Sequence, residues 1–293
     1  MEKLLPIKQL TIIGVGLIGG SFALELKRAQ LVHTIIGVDR LDSDLLRAQQ
    51  LGIIDTFMPL EAAVEQAELI LVAVPVGQMA AIFARLAKAA KPNAIITDVG
   101  STKADIAALY QQYLAARLAY CLPAHPIAGA EQSGVTAARY GLYQHRKVVL
   151  CPFAQTTEST LKTVQLLWQA CGAQLSFLDI HTHDQILASI SHLPHLVAFS
   201  YMHLLGAKPD INTCLDLAST GFRDFSRIAG SSPEMWRDIM LANRNVLLKE
   251  IQAYQQVLET LYQVLDQQDE QALFNFIEKA SLTRQAWERK QAH

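Results

Sequence analysis

The stretch His125-Pro126-Ile127-Ala128-Gly129-Ala130-Glu131 offers the first group suited to moving a proton near neutral pH. An imidazole, with an ordinary pKa of about 6.5, can take a proton from a hydroxyl and release it later. Pro126 holds His125 extended, and Gly129 releases the chain into a loop carrying the carboxylate Glu131. On its own neighbourhood alone His125 fits equally a catalytic base and a satisfied, partly buried core histidine. Two more imidazoles stand three apart in Ser191-His192-Leu193-Pro194-His195, a spacing that places both on one side of a helix. One of them also suits a plain buried helix residue. Further on, Ser219 to Pro233 is rich in glycine and serine yet carries Arg223, Asp224 and Arg227. Arg227 can grip a carboxylate with two hydrogen bonds and Asp224 can orient an arginine; a solvated charged loop reads the same way. The chemistry on offer is proton abstraction from an anionic small molecule.

These groups need a scaffold, and the pattern before them supplies one. Leu10 to Ile13 reads as a buried strand running into Gly14-Val15-Gly16-Leu17-Ile18-Gly19 and then a helix to about Gln30. This is GxGxxG between strand and helix. One glycine makes the tight turn, one lets backbone approach a pyrophosphate, and one lets helix pack on strand. The helix N-terminus, at Leu17 and Ile18, offers unpaired N–H groups to the phosphates. A second strand, Thr34 to Val38, ends at Asp39, twenty residues after Gly19. That carboxylate suits an adenosine ribose and repels a 2′-phosphate, so NAD is the expected cofactor; the adjacent Arg40 leaves NADP open. Leu69 to Val74 is a buried strand ending at Pro75, Met79 to Ala90 a helix, and Ala94 to Thr97 a strand ending in Asp98-Val99-Gly100-Ser101-Thr102-Lys103. Ligands bind beyond the C-terminal ends of such strands, which makes Pro75 and Ser101 cofactor-side candidates. Ser101 also suits the N-cap of the helix beginning near Lys103. Ala119 to Leu122 is the next strand and delivers His125 at its end. Lys147 to Cys151 and Gln174 to Leu178 are two more strands, with a helix from Ser159 to Cys171 between them.

After Asp179 the character changes to helix. Thr182 to Leu205 has helical period and a Pro194 that should kink it. Ser232 and Pro233 read as N-cap and first residue of a long helix, about Glu234 to Leu265, with another from Glu270 onward. Apolar residues from Ile239 to Leu265 cover more than one face, which suggests burial against a second chain. The expected fold is α/β: an N-terminal Rossmann-type dinucleotide-binding domain, 1–180, followed by an all-α C-terminal dimerisation domain, 181–293. The 293 residues, 51% hydrophobic and 18% charged, can fill cores of that size. A net charge of -2 without a basic stripe argues against nucleic acid. Cysteines at 121, 151, 171 and 214 form no CxxC pair, so neither a metal site nor a disulfide framework is expected. The N-terminus reads as no signal peptide, and the apolar run Leu69 to Val76 is too short for a membrane span. A soluble, cytoplasmic protein is expected.

GVGLIGGS, DVGSTK, HPIAGAEQSG, SHLPH and GFRDFSRIAGSSPEMWRDI, in that order, closely resemble the prephenate and arogenate dehydrogenases of tyrosine biosynthesis, nearest to the cyclohexadienyl dehydrogenase branch. The resemblance covers about residues 8 to 285. It implies that His125 takes the proton of a ring hydroxyl and that Ser101 helps orient His125 and the nicotinamide. It also implies a pocket of His195, His192, Ser191, Gly221 and Trp236, with Arg227 on a substrate carboxylate. Glu131, Asp224 and Arg227 would form a charged cluster at its mouth. The partner would be a second copy joined through the C-terminal helices, and the substrate prephenate or arogenate. Gln132 stands where many relatives carry a basic residue. No chorismate mutase segment is expected before the first strand and no regulatory domain after the last helix, so any tyrosine feedback would act at the active site. Two alternatives remain at this stage. A β-hydroxyacid dehydrogenase would need a lysine on the early helix of the second domain, where this chain has histidines. A non-catalytic NAD-binding scaffold would not need His125, His195 and Arg227 together.

Overall fold

The structure is a computed structural model and describes residues 6–129 and 132–291. Six strands form one sheet: β1 (Ile7–Ile13), β2 (Val32–Val38), β3 (Thr56–Phe57), β4 (Leu69–Val72), β5 (Ile95–Asp98) and β6 (Cys121–Leu122), in the order β3-β2-β1-β4-β5-β6 with every pairing parallel. Continuous apolar runs suit strands covered on both faces. Leu10 and Ile12 of β1, with Leu69 and Leu71 of β4, enter one core with Phe22 and Trp168. Ile13, Ile70 and Val72 enter the other, with Phe83 and Tyr110. The alternation is the two-residue period of a strand sorting side chains to two faces. The crossovers are α1 (Leu17–Arg28), α2 (Asp42–Gln50), α3 (Leu60–Glu65), α4 (Met79–Ala89) and α5 (Ala104–Tyr113). The strand order reverses between β1 and β4, which opens a crevice at their C-terminal ends.

His125 is not on that sheet. The sequence suggests a loop at the end of a parallel strand; instead the chain leaves β6 at Pro123 and starts a second sheet. There β7 (Ala124–Pro126) pairs antiparallel with β8 (Lys147–Leu150), which runs parallel to β9 (Gln174–Phe177). His125 lies opposite Val149 in the middle of β7. Pro123 has no N–H to continue a ladder, but its carbonyl accepts from Cys151 N at 2.9 Å and ties the start of β7 to the end of β8. The helix α6 (Glu158–Ala170) links β8 to β9.

No strand follows β9 among the described residues. The expected kinked helix over 182–205 is two helices, α7 (Ile180–Leu187) and α8 (Leu193–Gly206), joined by a π turn, Ala188–His192. In the widened turn the Leu193 N–H donates to the Ala188 carbonyl, and Pro194, which has no N–H to give, falls at the start of α8. After α9 (Ile211–Asp216), the stretch read as a loop is α10 (Thr220–Ser226) and a 3-10 turn, Arg227–Gly230. Ser219, extended, is the N-cap residue that starts α10 in place of the loop. The long helix expected from Glu234 is broken at the buried Asn243 into α11 (Pro233–Ala242) and α12 (Arg244–Asp266). Ser232 caps α11 by accepting from Met235 N. Last comes α13 (Glu270–Gln291). The chain forms two compact units, Met1–Arg244 and Asn245–His293. Among the described residues no helix is long and apolar enough to cross a membrane.

Candidate active site

The glycines of the first turn are separable by what surrounds them. Gly14 has φ +96°, and a Cβ there would run into the Ala73 carbonyl, so only glycine makes this turn. A Cβ on Gly19 would meet the Gly14 carbonyl and Ile12, which is the close packing of α1 on β1. Gly16 faces open space and is the uncapped N-cap of α1, ahead of Leu17 and Ile18. The Asp39 carboxylate accepts from Val15 N at 2.9 Å and Arg40 N at 2.7 Å, so it steadies the glycine turn. The Arg40 side chain is exposed beside it. Pro75 is exposed and opens a turn over Val76–Gln78. In that turn Gly77 lies under Asp238 of α11, whose carboxylate a Cβ would strike. A tight turn, room for close approach, a free helix N-terminus and a carboxylate after β2 are what a dinucleotide's pyrophosphate and ribose require.

Around His125 the structure assembles a chain of groups. His125 Nδ1 lies 2.8 Å from His183 Nε2, and His183 Nδ1 lies 2.7 Å from Asp184 Oδ1. The Asp184 carboxylate accepts the N–H groups of Lys103 and Ala104, each at 2.8 Å. That is the N-terminus of α5, which the sequence assigns to Ser101. Lys103 is the N-cap residue and has no side-chain cap, so Ser101 stands two places too early and a carboxylate from α7 takes the role. Ser101 is half-buried, and its hydroxyl meets no partner among the described residues. Beneath, Lys103 pairs with Asp98, both fully buried. Asp98 also accepts from Gly100 N at 2.8 Å and from the Tyr110 hydroxyl at 3.4 Å.

Burial pushes His125 well below its usual pKa, and His183, Lys103 and His192 push the same way. For Asp184 burial works upward, but the hydrogen bonds from His183 and the amides of Ala104 and Lys103 outweigh it and hold the carboxyl below its usual range. Burial brings His192 down to about 4 against the opposing pull of Asp184. Burial also lowers His195, with Arg227 adding to it and the hydrogen bond to Ser191 opposing.

His192 and His195 both meet Trp236. The His195 ring stacks on the indole at 3.7 Å, and His192 meets it edge-on at 6.1 Å. His195 Nδ1 donates to the Ser191 carbonyl at 2.8 Å, which leaves Nε2 as an acceptor. Asn243 Nδ2 donates to the Asp184 carbonyl at 2.8 Å and reaches His192 Nδ1 at 3.1 Å. Arg227 opens the 3-10 turn that packs on α8. Asp224 and Gly221 lie exposed on α10, and no ion pair joins Asp224 to Arg227 among the described residues. Glu131 lies outside the described residues.

The expected list lacks His183, Asp184, Lys103, Asp98 and Asn243. A signal for two of them is present in α7. Ile180, His183, Asp184 and Leu187 occupy the i, i+3, i+4, i+7 stripe of an amphipathic helix. A His-Asp pair at the centre of an apolar stripe has to find a buried partner.

A model of the nucleotide-binding domain of prephenate dehydrogenase matches residues 22–177, and a model of the dimerization domain of prephenate dehydrogenase matches residues 179–279. A prephenate dehydrogenase of Bacillus subtilis is 33% identical over 91% of this chain and 72% of its own length. A cyclohexadienyl dehydrogenase of Zymomonas mobilis is 31% identical over 95% of this chain and 96% of its own. The crystal structure of prephenate dehydrogenase from A. aeolicus, in complex with hydroxyphenyl propionate and NAD+, superposes with a TM-score of 0.90 at 32% identity. It covers 96% of this chain and 99% of that one.

Proposed function

This chain belongs to the prephenate dehydrogenase family, and on that premise we propose that it oxidises prephenate, arogenate or both with loss of CO2 and hydride transfer to NAD, a step of tyrosine biosynthesis. The observation that carries the reading is His125: an imidazole kept neutral by burial, anchored through Nδ1, with 9% of its surface still open. A base in that state is ready to accept a proton at neutral pH.

NAD, when bound, supplies the hydride acceptor. The protein's own residues do the rest by position and charge. His125 takes the proton of the ring hydroxyl as the carbinol C–H bond gives up its electron pair. The bond to the ring carboxylate then breaks, CO2 leaves, and its electron pair enters the ring to make it aromatic. Arg227 is assigned the substrate carboxylate, supported by its place at the start of the 3-10 turn packed against α8 and by its charge acting on His195. His195 Nε2 is assigned a hydrogen bond to substrate, Trp236 the pocket wall, and His192 and Ser191 the lining behind them. Asp224, Gly221 and Glu131 are assigned to the mouth. Ser101, with an unengaged hydroxyl, is assigned to the nicotinamide side of His125. Gly14, Gly16, Leu17, Ile18, Gly19 and Pro75 are assigned to the cofactor. Asp39 supports NAD over NADP, because a fixed carboxylate repels a 2′-phosphate. The protein is read as a homodimer through its C-terminal helices. Its four unpaired cysteines suit a cytoplasmic setting.

A four-way assay tests this: prephenate and arogenate, each with NAD and with NADP, following reduced nicotinamide. NADH formation with at least one cyclohexadiene, and weaker use of NADP, is the expected result. No reduction with either substrate sinks the reading.

A further inference from the structure

The buried series Asp184, His183, His125 fixes where each proton sits. Asp184 is held as an anion at the positive end of α5, so it can only accept. His183 Nδ1 must therefore carry the hydrogen that bridges the 2.7 Å to Asp184. A neutral imidazole has one N–H, so His183 Nε2 presents a lone pair. It faces His125 Nδ1 at 2.8 Å, which must then hold the proton, and the lone pair of His125 is left on Nε2. His183 is 0% exposed while His125 keeps 9%; of the two, only His125 has surface open to a substrate.

We propose that Asp184 and His183 are positioning residues that lock His125 in the tautomer whose Nε2 is the base and take the positive charge from it during turnover. This rests on His125 being the base. The step balances in protons. The substrate hydroxyl proton moves to His125 Nε2, and the proton on His125 Nδ1 moves to His183 Nε2. His125 is again neutral, now protonated at Nε2, and His183 is an imidazolium beside the Asp184 carboxylate. After product leaves, the shift reverses and one proton goes to solvent from His125 Nε2. The other groups acting on His125 favour this direction. Lys103, ahead of α5 and paired with Asp98, and His192, in the π turn and bonded to Asn243, both disfavour a positive charge on His125 itself. Asp184 is the carboxylate in line to receive it.

The test combines spectroscopy on the unaltered enzyme with three variants. In the 15N spectrum of histidine-labelled protein at neutral pH, the signals lost in His125→Asn identify that ring. They are expected to show Nδ1 protonated and Nε2 bare. Asp184→Asn and His183→Gln are expected to lower kcat by about 10² to 10⁴. KM for substrate and for NAD should hold within about threefold, and in Asp184→Asn the acid limb of kcat should move to lower pH as the pull of the carboxylate is lost. A merely structural role would move neither the tautomer nor the limb. Substantial turnover by His125→Asn would remove the base itself. An inactive His125→Asn beside Asp184→Asn and His183→Gln variants of near-normal kcat, with an unshifted limb in Asp184→Asn, would overturn the relay alone. So would an Nε2-protonated His125 in the unaltered enzyme, a result that stands whether or not the variants fold.

Discussion

Burial drives His125, His192 and His195 in the same direction, toward the neutral imidazole. The ordinary pKa of about 6.5 would put the acid limb of kcat/KM near neutrality; the environment of His125 moves it well below. Turnover should thus stay flat from pH 8 to below 6.5 and fall only as pH drops through the depressed value. A limb centred near 6.5 would contradict a desolvated base. Stability carries the same sign. The unfolded chain takes up protons first, so stability from these groups is complete above about 6.5 and is lost as pH falls toward the folded values. For His192, from 6.5 to about 4, the loss is about 3 kcal/mol. Urea midpoints at pH 7 and 4.5 read it, and a His192→Gln variant should show the shallower dependence. His125, His195 and Arg227 could be nominated from sequence because each stands in a local motif. His183 and Asp184 could not, since their partners lie 58 and 80 or 81 residues away and only the three-dimensional pairing explains a His-Asp pair on an apolar stripe.

Elements with a strong local signature were read well. The glycine turn, β1, β2 and the first residues of α11 follow from glycine, continuous apolar runs and a Ser-Pro start. What escaped reading were breaks made for distant partners: the π turn before α8, and the gap at Asn243 whose amide reaches Asp184 and His192. The glycine turn gives a contrast that separates folding from cofactor binding. Gly14→Ala meets both positive φ and the Ala73 carbonyl, so it should cost about 1–3 kcal/mol of stability. Gly16→Ala has room in the free protein, so its stability should change by less than about 1 kcal/mol, while NAD affinity drops about tenfold or more as the Cβ fills the approach to the phosphates. Thermal melts with and without NAD distinguish the two; equal melting losses without cofactor would refute the assignment of Gly16.

At the scale of the molecule, the unit Asn245–His293 is two helices with few buried side chains. Leu258, Tyr262 and Leu265 on α12 and Phe274, Ile277 and Leu282 on α13 are exposed, an apolar surface out of keeping with a solvated helix pair. In the proposed dimer, replacing Phe274 and Ile277 by aspartate should raise the dissociation constant by roughly 10³ or more, given about 1.5–3 kcal/mol for each large side chain withdrawn from an interface. Sedimentation at micromolar concentration reads this, and an unchanged dimer would place the interface elsewhere. Reading the apolar excess from sequence was straightforward; the hydrogen bonds by which Asn243, at the end of the first unit, meets α7 and the π turn leave no local trace in sequence. The order in which the chain is made gives this a temporal side. At about 5–20 residues per second, His125 leaves the ribosome's catalytic centre some 3–12 s before His183, which lies 58 residues later. Asn243 follows Asp184 by a further 59 residues. A chain stalled or released in that interval carries all six strands of the first sheet but lacks the partners that set the protonation of His125.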